Sequence, residues 1–352
     1  MESFIDRYAL IPTSYSQIFI INIMEISSRK TKTGIAYETY SHSKPPSTLL
    51  AQNQILVVLA HGNGLCKSVW REFAKLFLSK MDYYSICLLS VDLGGHGESV
   101  INWKARTRVS EFSSDILDCI LDFRLSHHVD RIFFVGHSIG CQMGLFAAQK
   151  GVFRSALLIE PIIAKSRKDP GEAAKIPIFQ GALKRRREFP SFEDAYSILR
   201  NKGIFKDWTE ESFRNYIYCG GFRLKPAENN IVELTCSPEL EYRIFLMDAS
   251  EIYHSLTEVP IANATVIYGT ESYHVSRSDV EDITHLLPNG KFVAINGAHH
   301  IPMCELFNDV IVEETISLIE KDLMQFKVQV VDHKNSFLSG KQAHLATNGM
   351  TY

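Results

Sequence analysis

The chain has 352 residues, 45% of them apolar and 22% charged, and a formal net charge of −3. At about 150 residues per domain this length suggests roughly two domains, with a core large enough to need no metal or disulfide staple. The near-neutral charge gives no general attraction to nucleic acid or anionic membrane, and 20 Gly and 12 Pro without low-complexity stretches exclude a collagen-like, coiled-coil or disordered chain.

In chain order, residues 17–27 and 33–40 alternate like two strands joined by a Lys/Thr/Gly turn. The N-terminal MESFIDRY carries two acidic residues and no basic region leading into a long apolar run, so no secretory signal is expected. The apolar stretch 18–24 is far short of the roughly 20 residues a membrane helix needs. The expectation is an intracellular protein without an integral membrane segment; the final GMTY is not an S-K-L-type peroxisomal ending. Residues 41–53 form a polar linker with Pro45 and Pro46, and QILVVLA (54–60) reads as a strand buried on both faces. Helix then follows near 68–80, strand at 84–91, helix at 107–127, strand at 131–136, helix at 138–150 and strand at 155–160. This alternation predicts a parallel sheet wrapped by helices. From 162 to 259 the rhythm stops, and the segment reads as a mostly helical insert. It resumes with a strand at 264–269, a helix at 276–287, a strand at 291–296 and a helix at 304–326, and ends in a polar tail from 332. The expected organisation is an α/β core of residues 1–161 and 260–331, a helical lid of residues 162–259 and a tail of residues 332–352.

The seven cysteines, Cys66, Cys87, Cys119, Cys141, Cys219, Cys236 and Cys304, are scattered and include no C-x-x-C pair. Reduced, mostly buried thiols are expected rather than a zinc site or a disulfide framework. No G-x-G-x-x-G opens the first strand–helix unit and no P-loop occurs, so no cofactor is expected.

The strongest chemical signal is Gly136-His137-Ser138-Ile139-Gly140, placed between a strand and a helix. A G-x-S-x-G in that context presents its Ser on a strained turn whose neighbours two residues away must be small. His61-Gly62-Asn63-Gly64 follows the 54–60 strand. Acyl transfer needs two preorganised N–H donors for an oxyanion; Ile139 supplies one by position, and Asn63 is the candidate for the other. Asp92-Leu93-Gly94-Gly95-His96-Gly97-Glu98-Ser99 reads as a tight structural loop at the sheet edge. Gly297-Ala298-His299-His300 follows the last strand. Adjacent histidines diverge, and His300, just before a helix, suits a general base; the same divergence argues against a metal site. Two strand ends offer a carboxylate to orient that base, Glu160 and Glu271.

Together HGNG, DLGGHGES, GHSIG and GAHH resemble the α/β-hydrolase superfamily over about residues 35–325, and within it, with Trp70, fungal lipase-like hydrolases of peroxisomal and toxin-biosynthesis type. The resemblance implies a mostly parallel eight-stranded sheet flanked by helices, with a cap inserted after the sixth strand. Many members carry an acid at the end of G-x-x-D before the last strand; here the residues are Gly269-Thr270-Glu271-Ser272, with Ser in that place. Other members place the acid one strand earlier, before a Pro, and Glu160-Pro161 matches. Glu160 is therefore preferred, with Glu271 as the alternative and a more distant acid of the insert behind both.

The expected function is hydrolysis of a carboxylic ester with an apolar acyl chain through Ser138, His300 and an acid, with a thioesterase on acyl-CoA or a non-catalytic binding protein of the same fold as alternatives. Phe205, Trp208, Phe213, Tyr216, Tyr218 and Phe222 in the insert are either its core or an acyl pocket. The Lys184–Arg187 run is either a solvated face or a site for an anionic headgroup. The expected partner is a small acyl ester or thioester, without nucleic acid; the oligomeric state is not legible.

Overall fold

The computed structural model describes residues 18–21, 24–44, 54–167, 169–225 and 231–325. The expected linker is described only up to residue 44, and the N-terminal octapeptide and the tail from 332 lie outside the described residues.

The strands before the insert are β1 (Ile18–Ile21), β2 (Met24–Lys30), β3 (Ala36–His42), β4 (Gln54–Ala60), β5 (Ser85–Val91), β6 (Arg131–His137) and β7 (Ser155–Ile159). The insert holds the short strands β8 (Glu188–Phe189), β9 (Phe222–Leu224) and β10 (Val232–Leu234), and β11 (Asn263–Gly269) and β12 (Lys291–Ile295) follow it. The main sheet runs β1-β2-β3-β5-β4-β6-β7-β11-β12. The six strands from β5 to β12 along that order are mutually parallel, whereas β1, β2 and β3 are antiparallel. This is the mostly parallel α/β-hydrolase sheet, with one more edge strand than eight. The extra strand arises because residues 17–27 are not one strand: β1 and β2 fold back on each other, pairing Ile21 with Met24 and Ile18 with Ser27. A period-2 apolar pattern is the same for one long strand as for the two arms of a hairpin, so the pattern alone could not separate them.

The central strands are apolar throughout because both faces are covered. In β4, Ile55, Val57 and Leu59 join one core, and Leu56, Val58 and Ala60 join the other. The first core is closed by α1 (Arg71–Lys80), through Phe73, Phe77 and Leu78, and by the last helix, at 308–325, through Ile311 and Ile319. The second is closed by α2 (Ser113–Arg124) and α3 (Ile139–Ala148), and by a helix at Arg277–Leu286 beyond the insert. Each large side chain buried this way contributes about 1.5–3 kcal/mol, so the two layers hold every strand end in a fixed place.

Between β7 and β11 lie α4 (Pro170–Ala173), α5 (Pro177–Leu183), α6 (Phe192–Leu199), α7 (Glu210–Cys219) and α8 (Pro238–Phe245); the helix at Arg277–Leu286 is α9 and that at 308–325 is α10. Ser191, Thr209 and Ser237 cap α6, α7 and α8 by accepting the backbone N–H three residues on, each worth about 1 kcal/mol. The insert is not purely helical: β8, β10 and β9 form a small antiparallel sheet whose strands of two or three residues are too short to leave a periodic signal. Phe205, Trp208, Phe213, Tyr216 and Phe222 are buried in one continuous cluster with Phe189, and with Trp70 and Phe73 beneath. The insert is thereby anchored on the sheet rather than loosely tethered.

Candidate active site

Ser138 sits between β6 and α3 with φ 56° and ψ −125°, a conformation costly for a residue with a Cβ. Its neighbours are small for a measurable reason. A Cβ on Gly140 would stand 2.5 Å from the His61 carbonyl oxygen, and one on Gly136 would stand 2.7 Å from the Phe134 ring. The turn is pinned by the Ser138 N–H, which donates to the Ile159 carbonyl of β7 at 2.9 Å.

Glu160, immediately after β7, also has a positive φ of 50°. Apart from Asn289, Ser138 and Glu160 are the non-glycine residues with positive φ among the described residues, and they stand at the ends of adjacent strands. His300 comes from the loop after β12. Its Nε2 lies 3.1 Å from the Ser138 hydroxyl and its Nδ1 3.0 Å from Glu160 Oε2. Glu160 is fully buried and accepts two further hydrogen bonds, from the Gly269 N–H at 2.6 Å and from the Ser272 hydroxyl. Burial pushes the Glu160 carboxyl up to about 7, against the pull of the Ser272 and Gly269 donors. Burial pushes the His300 imidazole down to about 3. The arrangement is a neutral base between a hydroxyl and an acceptor-only carboxylate, which is what proton removal from Ser138 requires.

Two loops close the opposite side. His61 Nδ1 donates to the Gly62 carbonyl and its Nε2 accepts from the Leu93 N–H; His96 Nε2 accepts from the Gly64 N–H. These bonds tie the HGNG loop to the DLGGHGES loop. Asp92 accepts from the Lys67 N–H and Nζ and from the Glu98 N–H, so the second loop is a structural brace. The Asn63 Nδ2 donates to the Glu241 carbonyl at 2.8 Å, which leaves the backbone N–H as the group able to serve an oxyanion. The Ile139 N–H heads the first turn of α3, where helix geometry leaves it without an intrahelical acceptor.

Ser138, Ile139, Asn63 and His300 line a cavity of about 570 Å³. Its other walls include Leu65, Ile162, Ile163, Ile204, Ile244, Leu246 and Met247, with Phe179 and Phe245, and also the charged Lys165, Arg167, Glu241, Asp248 and Asp279. The insert's core aromatics Phe205, Trp208, Phe213, Tyr216, Tyr218 and Phe222 are not among the lining residues, so the pocket reading of that cluster is replaced by packing.

The structure does not bring Glu271 to His300. Glu271 is exposed, its N–H donates to the Ala298 carbonyl, and the turn that carries it directs Ser272, not Glu271, toward Glu160. His299 is not paired with Ser138: its backbone N–H donates to Glu305, and its ring Nδ1 lies 3.6 Å from the same carboxylate. The Lys184–Arg187 run is not one face: Arg185 pairs with Glu241 and donates to the Tyr216 hydroxyl, Arg186 packs over Phe189, and Arg187 lies 3.6 Å from Glu233. Among the described residues no group of three or more His, Cys, Asp or Glu side chains is arranged to hold a metal ion.

Three residues of the site were missed by sequence reasoning. Ser272 holds the carboxylate that orients His300. His137 is buried and donates from Nε2 to the His300 carbonyl at 2.8 Å. The His274 ring lies beside that of His300, tilted at 40° with centroids 4.2 Å apart, and burial together with His300 pushes it down to about 3. The Ser at the place of a family Asp was the available signal for Ser272; nothing in the sequence marks the other two.

A family model described as the alpha/beta hydrolase family matches residues 57–305. No curated protein matches the sequence. Among solved structures, the peroxisomal alpha-beta-hydrolase Lpx1 from Saccharomyces cerevisiae is similar with a TM-score of 0.68 at 16% identity, over 94% of this chain and 100% of that one. E-2-(acetamidomethylene)succinate hydrolase is similar with a TM-score of 0.62 at 18% identity, over 84% and 99%. A novel esterase from Mycobacterium tuberculosis is similar with a TM-score of 0.59 at 15% identity, over 86% and 92%. At such identities the structures speak to the fold alone, whereas the family model spans most of the chain. The chain belongs to the alpha/beta hydrolase family.

Proposed function

We propose that this hydrolase cleaves a carboxylic ester with an apolar acyl group, through an acyl-enzyme on Ser138. The observation that carries this reading is the hydrogen-bonded run Ser138–His300–Glu160 at the wall of a cavity lined in large part by aliphatic side chains. Ser138 Oγ attacks the ester carbonyl carbon while its proton passes to His300 Nε2. Glu160 accepts from His300 Nδ1 and stabilises the imidazolium. The Asn63 and Ile139 backbone N–H groups hold the oxyanion. The carbon–oxygen bond to the alcohol breaks and the leaving oxygen takes the proton from His300. Water then attacks the acyl carbon, giving a proton to His300, and the bond to Ser138 breaks as that proton returns to Oγ. Each half of the cycle balances without a cofactor.

Residues 162–259 serve as the lid: most of the aliphatic wall comes from α5, α8 and their flanks. A cavity of this size and lining suits a medium-length acyl chain. The test is a series of p-nitrophenyl esters of increasing acyl length beside acyl-CoAs of the same acyl groups. Turnover that rises from acetyl to medium-chain esters is expected; a folded protein that turns over none of the esters contradicts the reading.

A further inference from the structure

The insert touches the catalytic machinery at one further place, the HGNG turn. The Leu65 N–H donates to the Gly62 carbonyl at 3.2 Å, which makes Asn63 and Gly64 the central pair of a four-residue turn. The φ of 74° at Gly64 is the positive value that the second central position takes in a type II turn. The Asn63 N–H that would serve the oxyanion belongs to this turn, so its direction is only as fixed as the turn itself. On the core side the Gly64 N–H donates to His96 Nε2 at 3.2 Å.

On the other side the turn is held from the insert. Asn63 Nδ2 donates to the Glu241 carbonyl on α8 at 2.8 Å, and the Tyr216 hydroxyl on α7 donates to the Gly64 carbonyl at 3.1 Å. The Glu241 carboxylate and the Arg185 guanidinium lie against Gly64 itself, where an added Cβ would stand 3.0 Å from the first and 3.1 Å from the second. Arg185, two residues beyond α5, ties these groups to one another: its Nη1 pairs with Glu241 and its Nη2 donates to the Tyr216 hydroxyl at 3.2 Å. A guanidinium only donates, so the Tyr216 oxygen accepts from it and the single hydroxyl proton is committed to Gly64.

Tyr216 is 1% exposed, Glu241 8% and the Arg185 side chain 24%. An ion pair drawn this far out of water adds little net stability, because desolvation offsets the attraction. Seating the insert on the sheet does not need it either, since the Phe205, Phe213 and Phe222 rings beside it join the core there. What the network holds is the geometry of the turn. We infer that Arg185 and Tyr216 are positioning residues for the oxyanion hole, carried by the insert and acting on the Asn63 N–H through the HGNG turn. The insert then helps to build the transition-state site as well as the cavity wall. Within the Lys184–Arg187 run, Arg185 is the member turned inward, and the other three are exposed. The inference rests on the ester-hydrolase reading and deepens it.

The test uses Tyr216→Phe, which keeps the ring and removes one oxygen, and Arg185→Lys, which keeps the charge and removes the fork, with melts to establish that both are folded. Each protein is assayed for kcat and KM on p-nitrophenyl butyrate and for inhibition by an alkyl trifluoromethyl ketone of similar length. Ser138 Oγ bonds to the ketone carbon, its proton passes to His300, and the carbonyl electron pair becomes an oxyanion like that of the transition state. In both variants kcat/KM is expected to fall about tenfold with KM within about twofold of the unaltered value, and the inhibition constant of the ketone to rise by the same factor. The double variant should lose less than the product of the two single losses, because both act through one turn. A folded Tyr216→Phe protein with unchanged kcat/KM and ketone affinity overturns the inference and leaves the hydrolase reading standing. A loss carried by KM, or a fall in kcat without loss of ketone affinity, overturns it as well, because the network would then shape the cavity and not the oxyanion hole. An unaltered protein that neither turns over the ester nor binds the ketone overturns the hydrolase reading and this inference with it.

Discussion

Glu160 and His300 illustrate how burial sets protonation at a single pair of residues. Alone, burial favours the neutral form of each, the carboxyl rising to about 7 and the imidazole falling to about 3. Joined by a hydrogen bond they bind one proton as a unit, and only the form with His300 neutral and Glu160 ionised can take the Ser138 proton. Ester kcat/KM is therefore expected to rise with pH through an apparent pKa near 7 and to level off above it. Glu160→Gln removes the carboxyl titration: the acidic limb should move down toward that of the buried imidazole, and the plateau should fall about 10³-fold or more. An unchanged limb in that variant would count against the pairing. Ser272 acts one step further back, donating to the same Glu160 oxygen that faces His300. Ser272→Ala should lower kcat with little change in KM, and should raise the apparent pKa of the acidic limb because one donor to the carboxylate is gone. A loss confined to KM would show that Ser272 does not act through Glu160.

At the scale of elements, the site depends on how closely the turn after β6 approaches the HGNG loop after β4. The Gly140 Cα faces the His61 and Ala60 carbonyls, which belong to backbone and cannot rotate away. Gly140→Ala must push the two turns apart, and is expected to cost about 1–3 kcal/mol in denaturant melts and to lose ester activity beyond the loss of stability. A variant of normal stability and activity would show that the approach is looser than described. The same turns were the most legible part of the sequence, because G-x-S-x-G and HGNG are local: close approach demands glycine at fixed positions whatever the rest of the chain does. The partner of His300 was legible only as a ranked choice, Glu160 before Glu271, with a more distant acid of the insert behind both. Glu160 and Glu271 both end strands, and the choice between them depends on which way a turn rotates after β11, a tertiary matter that Gly269 and Ser272 decide by both donating to Glu160. The β1–β2 hairpin and the three short strands of the insert escaped because an alternating pattern carries no mark of a reversal, and strands of two or three residues carry no pattern.

For the whole molecule, the aromatic cluster of the insert has a different part from the one its composition suggests. Phe213 and Tyr216 lie on α7, which packs on α1 and its preceding turn, and Phe205 packs on both rings, so the cluster joins the insert to the sheet layer. Composition alone could not separate core from pocket, since both need apolar side chains at helical spacing. Buried imidazoles also set the pH range of the fold. His61 and His96 are fully buried, and burial pushes both down to about 3, whereas an unfolded histidine titrates near 6.5. The stability they confer is complete above about pH 6.5 and is lost as pH falls toward 3, because the unfolded chain takes up protons that the folded one refuses. Each imidazole contributes a slope of about 1.4 kcal/mol per pH unit in that window. The His300–Glu160 pair binds one proton in the folded state over much of the same range and so opposes this trend only weakly. Thermal melts should show Tm dropping from pH 6.5 to 5; a flat Tm would mean that the two loops open to water.

All of these expectations rest on Ser138 being the nucleophile. The direct test is to treat the unaltered protein and Ser138→Ala with a fluorophosphonate probe and to measure p-nitrophenyl ester turnover of both, with melts to establish that both are folded. The account predicts stoichiometric labelling of the unaltered protein at Ser138, none in the variant, and a loss of turnover of about 10³-fold or more. Labelling and turnover that persist in a folded Ser138→Ala protein would contradict it.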